Sequence, residues 1–256
     1  MQRGRIQKVR EYIDKHGEAS VGELLKICGD CSSMTLWRDL NKLEAEGAIR
    51  RTRGGAIAMR LIQPDLENVY SQRAMEQTAQ KQAIARAAAG FVHPGSSLYL
   101  DAGTTVMSFA KVLPDQHFTV ITASANIAME LSQRRHCDVF CLGGQISANT
   151  LSCSGAQTEA NLDSMNIDTA IMASSGFTLA SGFSNGSQSE SRLKRKVIDK
   201  ATRSILLMDS SKMNRNLTFT FASLEDIDIL VCDAQMPDEV LCAAEKCGVQ
   251  IVKAEI

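Results

Sequence analysis

The chain predicts an α/β protein of two domains, a small basic helical unit followed by an open, largely parallel α/β sheet domain. Three observations carry this expectation. Near the N-terminus, three stretches with helical apolar spacing run into a basic, glycine-containing hairpin. From Ser97 onward, short continuous apolar runs alternate with helical segments, the pattern of strands covered on both faces. A length of 256 residues is enough for a small module plus one sizeable α/β domain.

The first helix presents Ile6, Val9 and Ile13 on one face and stops at His16-Gly17. Ser20 and Glu23 have the spacing of a capping box, in which hydroxyl and carboxylate each satisfy a free backbone N–H. They open a second helix that runs through Cys28, with Val21, Leu24, Leu25 and Cys28 as its apolar stripe. After the Gly29-Asp30 turn, Ser32 is the N-cap of a third helix, which Gly47 ends. Leu36, Leu40 and Leu43 form its core stripe. The other face carries Met34, Arg38 and Asn41, flanked by Ser33, Thr35, Trp37 and Lys42. Arg50, Arg51 and Arg53 then lie beside a Gly54-Gly55 turn. The order helix, helix, turn, helix, two-stranded wing is that of a winged helix-turn-helix, whose third helix reads a DNA groove while the wing follows the phosphate backbone. Arg38 and Asn41 are the candidates for base edges, and Thr35 with the three wing arginines for phosphates.

Charge supports this division. The net charge of −1 conceals twelve Lys and Arg against eight Asp and Glu in residues 1–60, a net of +4 that leaves −5 for the rest. The composition, 44% hydrophobic and 22% charged, is that of a soluble globular chain. The sequence carries neither an apolar leader nor an apolar run long enough to span a bilayer, so the expectation is a cytoplasmic protein with no membrane partner. Among eight cysteines, Cys28 and Cys31 have C-x-x-C spacing but lack a second ligand pair. Cys28 is expected to pack in the core, and Cys137, Cys141, Cys153, Cys232, Cys242 and Cys247 to be small buried hydrophobes, with no metal and no cofactor.

Residues 60–74 are polar, contain Pro64 and are expected to be a linker between residues 1–59 and 75–256. A helix from about Met75 buries Ile84, Ala87, Ala88 and Phe91 before His93-Pro94-Gly95 breaks it. The strand runs follow: SLYLD, FTVITA, DVFCLGG, DTAIMASSG, RSILLMD, DILVCD and VQIVKA. Helices are expected at 106–113, 126–134 and 190–202.

Five of these runs end in small or hydroxyl residues or lysine: Asp101-Ala102-Gly103-Thr104-Thr105, Thr122 to Ser124, Gly143-Gly144, Ser174-Ser175-Gly176, and Asp209 to Lys212. Ligands of open α/β sheets bind outside the carboxyl ends of the strands. Gly103 allows close backbone approach, and Thr104 and Thr105 stand at a helix N-terminus, which favours an anion. Lys194 and Lys212 offer compensating charge. The tips therefore predict a pocket for a phosphate or sugar phosphate, built from Asp101, Gly103, Thr104, Thr105, Thr122, Ser124, Gly143, Gly144, Ser175, Gly176, Lys194 and Lys212. Asp101, Glu190 and Asp209 are the carboxylates available for proton transfer, and no Ser/His/Asp or Cys/His set accompanies them.

With these residues quoted, the chain resembles the DeoR-type bacterial repressors of sugar catabolism over nearly its full length. The resemblance lies in Ser32 to Leu40, Leu43-Glu44, Gly47 and Arg51 to Ala56, and then in Asp101 to Thr105, Leu142-Gly143-Gly144, Gly176, Lys194 and Asp209 to Lys212. It implies a winged-helix domain joined to a sensor domain similar to ribose-5-phosphate isomerase. The implied behaviour is repression, with release from operator DNA by a phosphorylated sugar. The family pattern has two arginines before Asp39-Leu40, and here the first is Trp37, a departure that bears on the operator sequence rather than on DNA binding itself. The acidic and glycine-rich runs of the active isomerases are missing, so a sensor and not an enzyme is expected. A sugar-phosphate isomerase or lactonase with an accessory DNA-binding domain stays open as the alternative, as does a nucleic-acid binder without operator preference. One short helix reads few base pairs, so a homodimer or homotetramer is expected.

Overall fold

The computed structural model describes residues 2–29, 31–46, 48–58 and 69–255. The chain divides into two compact units, residues 1–66 and 67–256.

In the first unit, α1 (Gln2–His16), α2 (Val21–Cys28) and α3 (Ser33–Ala45) enclose a core of Val9, Ile13, Leu24, Leu36, Leu40 and Leu43. The caps are those the sequence implies. Ser20 and Glu23 form the reciprocal box, and the Ser32 hydroxyl accepts from the Thr35 N–H at 3.2 Å. Gly47, the expected stop signal, lies outside the described residues. The wing is β2 (Ile49–Thr52) paired antiparallel with β3 (Gly55–Ala58). A strand not foreseen, β1 (Glu18–Ser20), pairs with the far side of β3. This pairing explains Gly55: a Cβ there would lie 2.0 Å from the Ala19 carbonyl oxygen, so only glycine lets the two backbones meet.

The second unit opens with two helices, α4 (Tyr70–Met75) and α5 (Thr78–Ala89), separated by Gln77 in the left-handed region. The expected linker over 60–74 is corrected in part. Residues 59–68 lie outside the described residues, but Tyr70 to Ala74 are helical. Their helix has no buried residue, so it carries no apolar periodicity to read.

All seven predicted runs become strands of one parallel sheet: β4 (Ser97–Leu100), β5 (Phe118–Thr122), β6 (Cys137–Cys141), β9 (Ile167–Ala173), β12 (Ala201–Met208), β14 (Ile229–Asp233) and β15 (Gln250–Ala254). Their order is β15-β14-β12-β9-β4-β5-β6. Neighbouring residues on a strand serve opposite cores. Tyr99, Leu206 and Leu230 pack on one face with Leu193, Val197 and Val240. Leu98, Leu207 and Val231 pack on the other with Ile84, Phe109 and Ile127. The facing helices are α5, α6 (Thr104–Val112) and α7 (Ala125–Leu131) on the second face, and α9 (Gln188–Lys200) and α10 (Asp238–Lys246) on the first. The edge strand β6 departs from the expected double cover, since its residues are half-buried or exposed and Phe140 is 50% exposed.

Short elements were not legible in the sequence. These are the hairpin β7 (Gln145–Ile146) and β8 (Cys153–Ser154), the small helix α8 (Ala156–Asn161), and a three-stranded antiparallel sheet of β10 (Gly176–Thr178), β11 (Gly182–Asn185) and β13 (Phe219–Ala222). The expectation that Cys28 and the six cysteines beyond the first domain are buried is also corrected. Only Cys153 and Cys232 are buried, Cys28, Cys31 and Cys137 are half-buried, and Cys141, Cys242 and Cys247 are exposed.

Candidate functional site

From β4 the chain winds to β5 and β6, then returns to β9 on the other side of β4 and continues outward in the opposite direction. The carboxyl ends of β4 and β9 therefore flank a topological switch point, where departing connections diverge and leave a crevice. A pocket of the second unit lies there. The β4 side supplies Gly103, Thr104 and Thr105, and the β9 side supplies Ser174 and Ser175. Gly103 is the N-cap of α6 and has no side chain to cap it, so the first N–H groups of that helix face the pocket without a side-chain acceptor.

Asp101 ties the two tips together. Its carboxylate accepts from the Ala102 N–H at 2.9 Å, from the Ala173 N–H at 3.0 Å and from the Lys194 ammonium, which also donates to the Ala173 carbonyl at 3.0 Å. Lys194 also stands 5.2 Å from the centre of the Phe221 ring. Its charge is thus matched inside the protein. Lys212 differs. It is only 7% exposed and lines the pocket, yet among the described residues its ammonium has no hydrogen bond or ion pair. Burial pushes its pKa down, and nearby Asp209 opposes that shift. The 3-10 turn that carries it, Ser210–Lys212, is held by two buried aspartates. Asp209 accepts from the Ser211 N–H at 3.1 Å, and Asp233 from the Ser210 N–H at 2.8 Å.

Of the predicted pocket residues, Gly103, Thr104, Thr105, Ser175, Lys194 and Lys212 line one pocket, and Asp101 braces it from behind. Thr122, Ser124, Gly143, Gly144 and Gly176 do not line it, which corrects the expectation for those five. Thr122 donates to the Leu100 carbonyl at 2.7 Å, and Ser124 donates to Asn126, so both hydroxyls are spent on the β5 end. Gly143 and Gly144 follow the edge strand, two positions from the switch point. Gly144 is glycine because a Cβ would meet the Thr158 hydroxyl at 2.1 Å. At Gly176 a Cβ would meet the Arg215 carbonyl at 2.4 Å, so this glycine admits the segment that bears a pocket residue.

The pocket residues that sequence reasoning passed over are Arg73, Thr150, Ser174, Glu190 and Arg215. Arg215 lies three residues beyond Lys212 and was within reach of a search for paired cations. Glu190 stood among the carboxylates but not in the pocket. Its side chain accepts from the Ser152 hydroxyl, which is 2.8 Å from that of Thr150. Arg73 gave no signal, because it sits in the stretch read as linker. Its backbone is fixed by Lys81, a lysine only 2% exposed whose ammonium donates to the carbonyls of Arg73 and, at 2.7 Å, Glu76. Burial first, and then the charge of Lys212, lower the Lys81 pKa to about 8.

On the first unit, α3 turns Ser33, Met34, Arg38, Asn41 and Lys42 outward, with Thr35 and Trp37 half-buried; the wing exposes Arg50, Arg51 and Arg53. Met34 is 75% exposed, the mark of a surface not used for folding. The helix is keyed to α1 by Asp39, fully buried, which accepts from Arg5 Nε at 2.6 Å. The wing is keyed to α3 by Arg51, whose N–H donates to Glu44 at 2.9 Å and whose Nε donates to it at 2.5 Å. That guanidinium also lies 5.9 Å from the Trp37 ring centre, so Trp37 braces the wing. These bonds hold the Glu44 carboxyl below its ordinary range, the backbone bond from Arg51 foremost.

Among the described residues there is no group of three or more His, Cys, Asp or Glu that could hold a metal, and no helix is long and apolar enough to cross a membrane.

Two protein families match the chain. Residues 5–60 match the DeoR-like helix-turn-helix domain, and residues 76–234 match the DeoR C terminal sensor domain. The uncharacterized HTH-type transcriptional regulator YulB of Bacillus subtilis (strain 168) is 33% identical over 96% of this chain and 95% of its own length. The HTH-type transcriptional repressor GlcR of the same organism is 31% identical over 99% of this chain and 97% of its own. Among solved structures, ribose 5-phosphate isomerase A from Methanocaldococcus jannaschii is similar with a TM-score of 0.42 and 17% identity, over 56% of this chain and 57% of that one. One expectation is corrected by these matches. A sensor and not an enzyme is expected from the sequence, whereas the matches assign a role, that of a DNA-binding regulator, and carry no statement that activity is absent. With its two domains matched in sequence and its relatives covering almost all of it, the chain belongs to the DeoR family of helix-turn-helix transcriptional regulators.

Proposed function

We propose that the protein represses a sugar-catabolism operon in the cytoplasm and leaves its operator when a phosphorylated sugar enters the β4/β9 pocket. The observation that carries this reading is Lys212, an almost wholly buried ammonium without a hydrogen bond or ion pair among the described residues, beside the uncapped N-terminus of α6. Leaving a charge buried and unpaired is costly, and an anionic ligand removes the cost. Arg73 and Arg215 add positive charge on the same walls. Glu190 and Thr150 provide acceptors and donors for sugar hydroxyls. A sugar phosphate has both halves of that chemistry.

Gly103, Thr104, Thr105 and Lys212 hold the phosphate in this reading, with Ser175 and the Asp101–Lys194 pair shaping the wall. On DNA, Arg38 and Asn41 read bases while Thr35, Arg50, Arg51 and Arg53 contact phosphates. The report from the pocket starts at α4. Arg73 reaches the pocket from this helix, and the Tyr70 N–H donates to the Asn149 carbonyl at 2.8 Å, next to Thr150 of the rim. The helix is also the first described element after residue 68.

A thermal-shift series with sugar phosphates, the matching free sugars and inorganic phosphate tests the reading, since a ligand of the native state stabilises it by mass action. At least one sugar phosphate raises the midpoint where its free sugar does not, and the same compound releases DNA. No response to any phosphorylated compound would refute the effector. Light scattering on DNA tests the homodimer or homotetramer, and a monomer on DNA refutes it.

A further inference from the structure

Ser174, Glu190 and Thr150 line the pocket from three different segments, and none of them has a proton to give a ligand. Ser174 lies just past β9, where its hydroxyl donates to the Gly176 carbonyl at 2.6 Å and to the Ser184 carbonyl at 3.2 Å. Glu190, in the first turn of α9, accepts from the Ser152 hydroxyl at 2.5 Å. The hydroxyl oxygens of Thr150 and Ser152 are 2.8 Å apart, and each hydroxyl carries one proton. Because the Ser152 proton goes to Glu190, the proton between the two hydroxyls is that of Thr150. The chain therefore runs one way, from Thr150 to Ser152 to Glu190. What all three lining groups have to offer a ligand is lone pairs.

This direction is built into the fold. Ser152 is only 2% exposed and belongs to a segment laced to the end of β5. The Cys153 N–H donates to the Ala123 carbonyl at 2.7 Å, and the Ala125 N–H to the Leu151 carbonyl at 3.1 Å. On the other side of Thr150, the Asn149 carbonyl accepts the Tyr70 N–H at 2.8 Å. Turning the Thr150 proton toward the pocket would leave the buried Ser152 oxygen without its donor, a cost the surroundings do not return.

We propose that Thr150, Ser174 and Glu190 form an acceptor-only wall, which selects monophosphates whose other end carries free hydroxyls and rejects those ending in a carboxylate or a second phosphate. The inference rests on the phosphate reading above, with Lys212 and the N-terminus of α6 at the anion. Lys212, Arg73 and Arg215 donate and do not accept, and the wall does the reverse. A sugar hydroxyl donates to the wall and satisfies it. A carboxylate or phosphate in the same place sets lone pairs against lone pairs and a negative charge beside Glu190. The direction of the hydrogen bonds thus distinguishes the two ends of one ligand.

Calorimetric titration of the full chain tests this with pairs that differ at the end away from the shared phosphate. The pairs are glucose 6-phosphate against 6-phosphogluconate, ribose 5-phosphate against 5-phosphoribonate, and fructose 6-phosphate against fructose 1,6-bisphosphate, with inorganic phosphate as reference. At least one hydroxyl-ended compound binds more tightly than inorganic phosphate, and its partner binds about tenfold more weakly than it does. Glu190→Gln keeps a carbonyl for the Ser152 proton but adds a donor, so it closes most of that gap by strengthening the carboxylate or bisphosphate member. Equal or tighter binding of that member to the unaltered chain overturns the wall and leaves the phosphate reading standing. So do sugar phosphates that bind no better than inorganic phosphate, or a gap that Glu190→Gln leaves unchanged while weakening both members alike. Absence of binding by every phosphorylated compound overturns both. Should the variant fail to fold, the pairs measured on the unaltered chain still decide.

Discussion

The Lys81 ammonium donates to the carbonyl oxygen of Arg73, so a lysine buried on α5 fixes the backbone of an arginine that reaches the pocket from α4. This bond has a pH signature. A lysine whose folded pKa is depressed holds its proton less tightly in the native chain than in the unfolded one. The resulting penalty is fully present below pH 8, and stability rises as pH climbs from about 8 toward the ordinary lysine value of 10.5. Lys212, shifted in the same direction, adds to the slope. Chemical denaturation of the wild-type chain should show stability increasing across that window, and Lys81→Met should flatten the increase. An equal slope in both proteins would take Lys81 out of the linkage.

Lys212→Met removes a buried charge that has no hydrogen bond or ion pair among the described residues. The free variant should unfold at the same temperature as the parent or higher. Its response to the effector should nearly vanish, because a charge-assisted hydrogen bond of about 1.5–3 kcal/mol is lost. Calorimetric titration against both proteins checks the second half, and unchanged affinity would move the anion elsewhere.

Arg38 and Arg53 should fail in different ways. Arg38→Ala is expected to cost about 1–3 kcal/mol on a duplex selected from a randomised pool and to relax preference at one base position. Arg53→Ala should weaken binding to every duplex alike and lower the salt dependence by about one phosphate contact. Titrations at several salt concentrations separate the two, and a uniform loss for Arg38→Ala would demote it to a phosphate contact.

Gly55→Ala pushes a methyl group into the Ala19 carbonyl, where the gap is 2.0 Å. Neither strand can give way without breaking the β1–β3 pairing, so the first unit should lose about 1–3 kcal/mol, the usual cost of overpacking. A drop in DNA affinity should accompany it, because β3 carries the wing. Hydrogen exchange at Glu18 to Ser20 is the readout, and undiminished protection would show that the strands part cheaply.

How far the site was legible depended on what each residue owed to its neighbours in sequence. Gly103, Thr104 and Thr105 were found because a strand, a glycine and a helix start follow one another within a few residues. Arg73 was not, because nothing in a short polar helix says that its backbone will be held by the buried Lys81 of the next helix. Thr122, Ser124, Gly143 and Gly144 share the same local pattern as the true pocket residues and were included for that reason. The order of strands, which puts β4 beside β9 and leaves β6 at the edge, is what excludes them.

From its sequence alone this chain settled its three N-terminal helices, the caps at Ser20 and Ser32, the wing and seven strands of a largely parallel sheet, since each follows from contacts among residues a few positions apart or from one side chain's need to be covered. The tertiary structure alone decided which strand ends meet, that Lys194 is paired with Asp101 while Lys212 has no such ion pair among the described residues, and that Arg51 folds over Trp37. Those are pairings between residues far apart in the chain, and their energies depend on burial and partner distance, which no local pattern encodes.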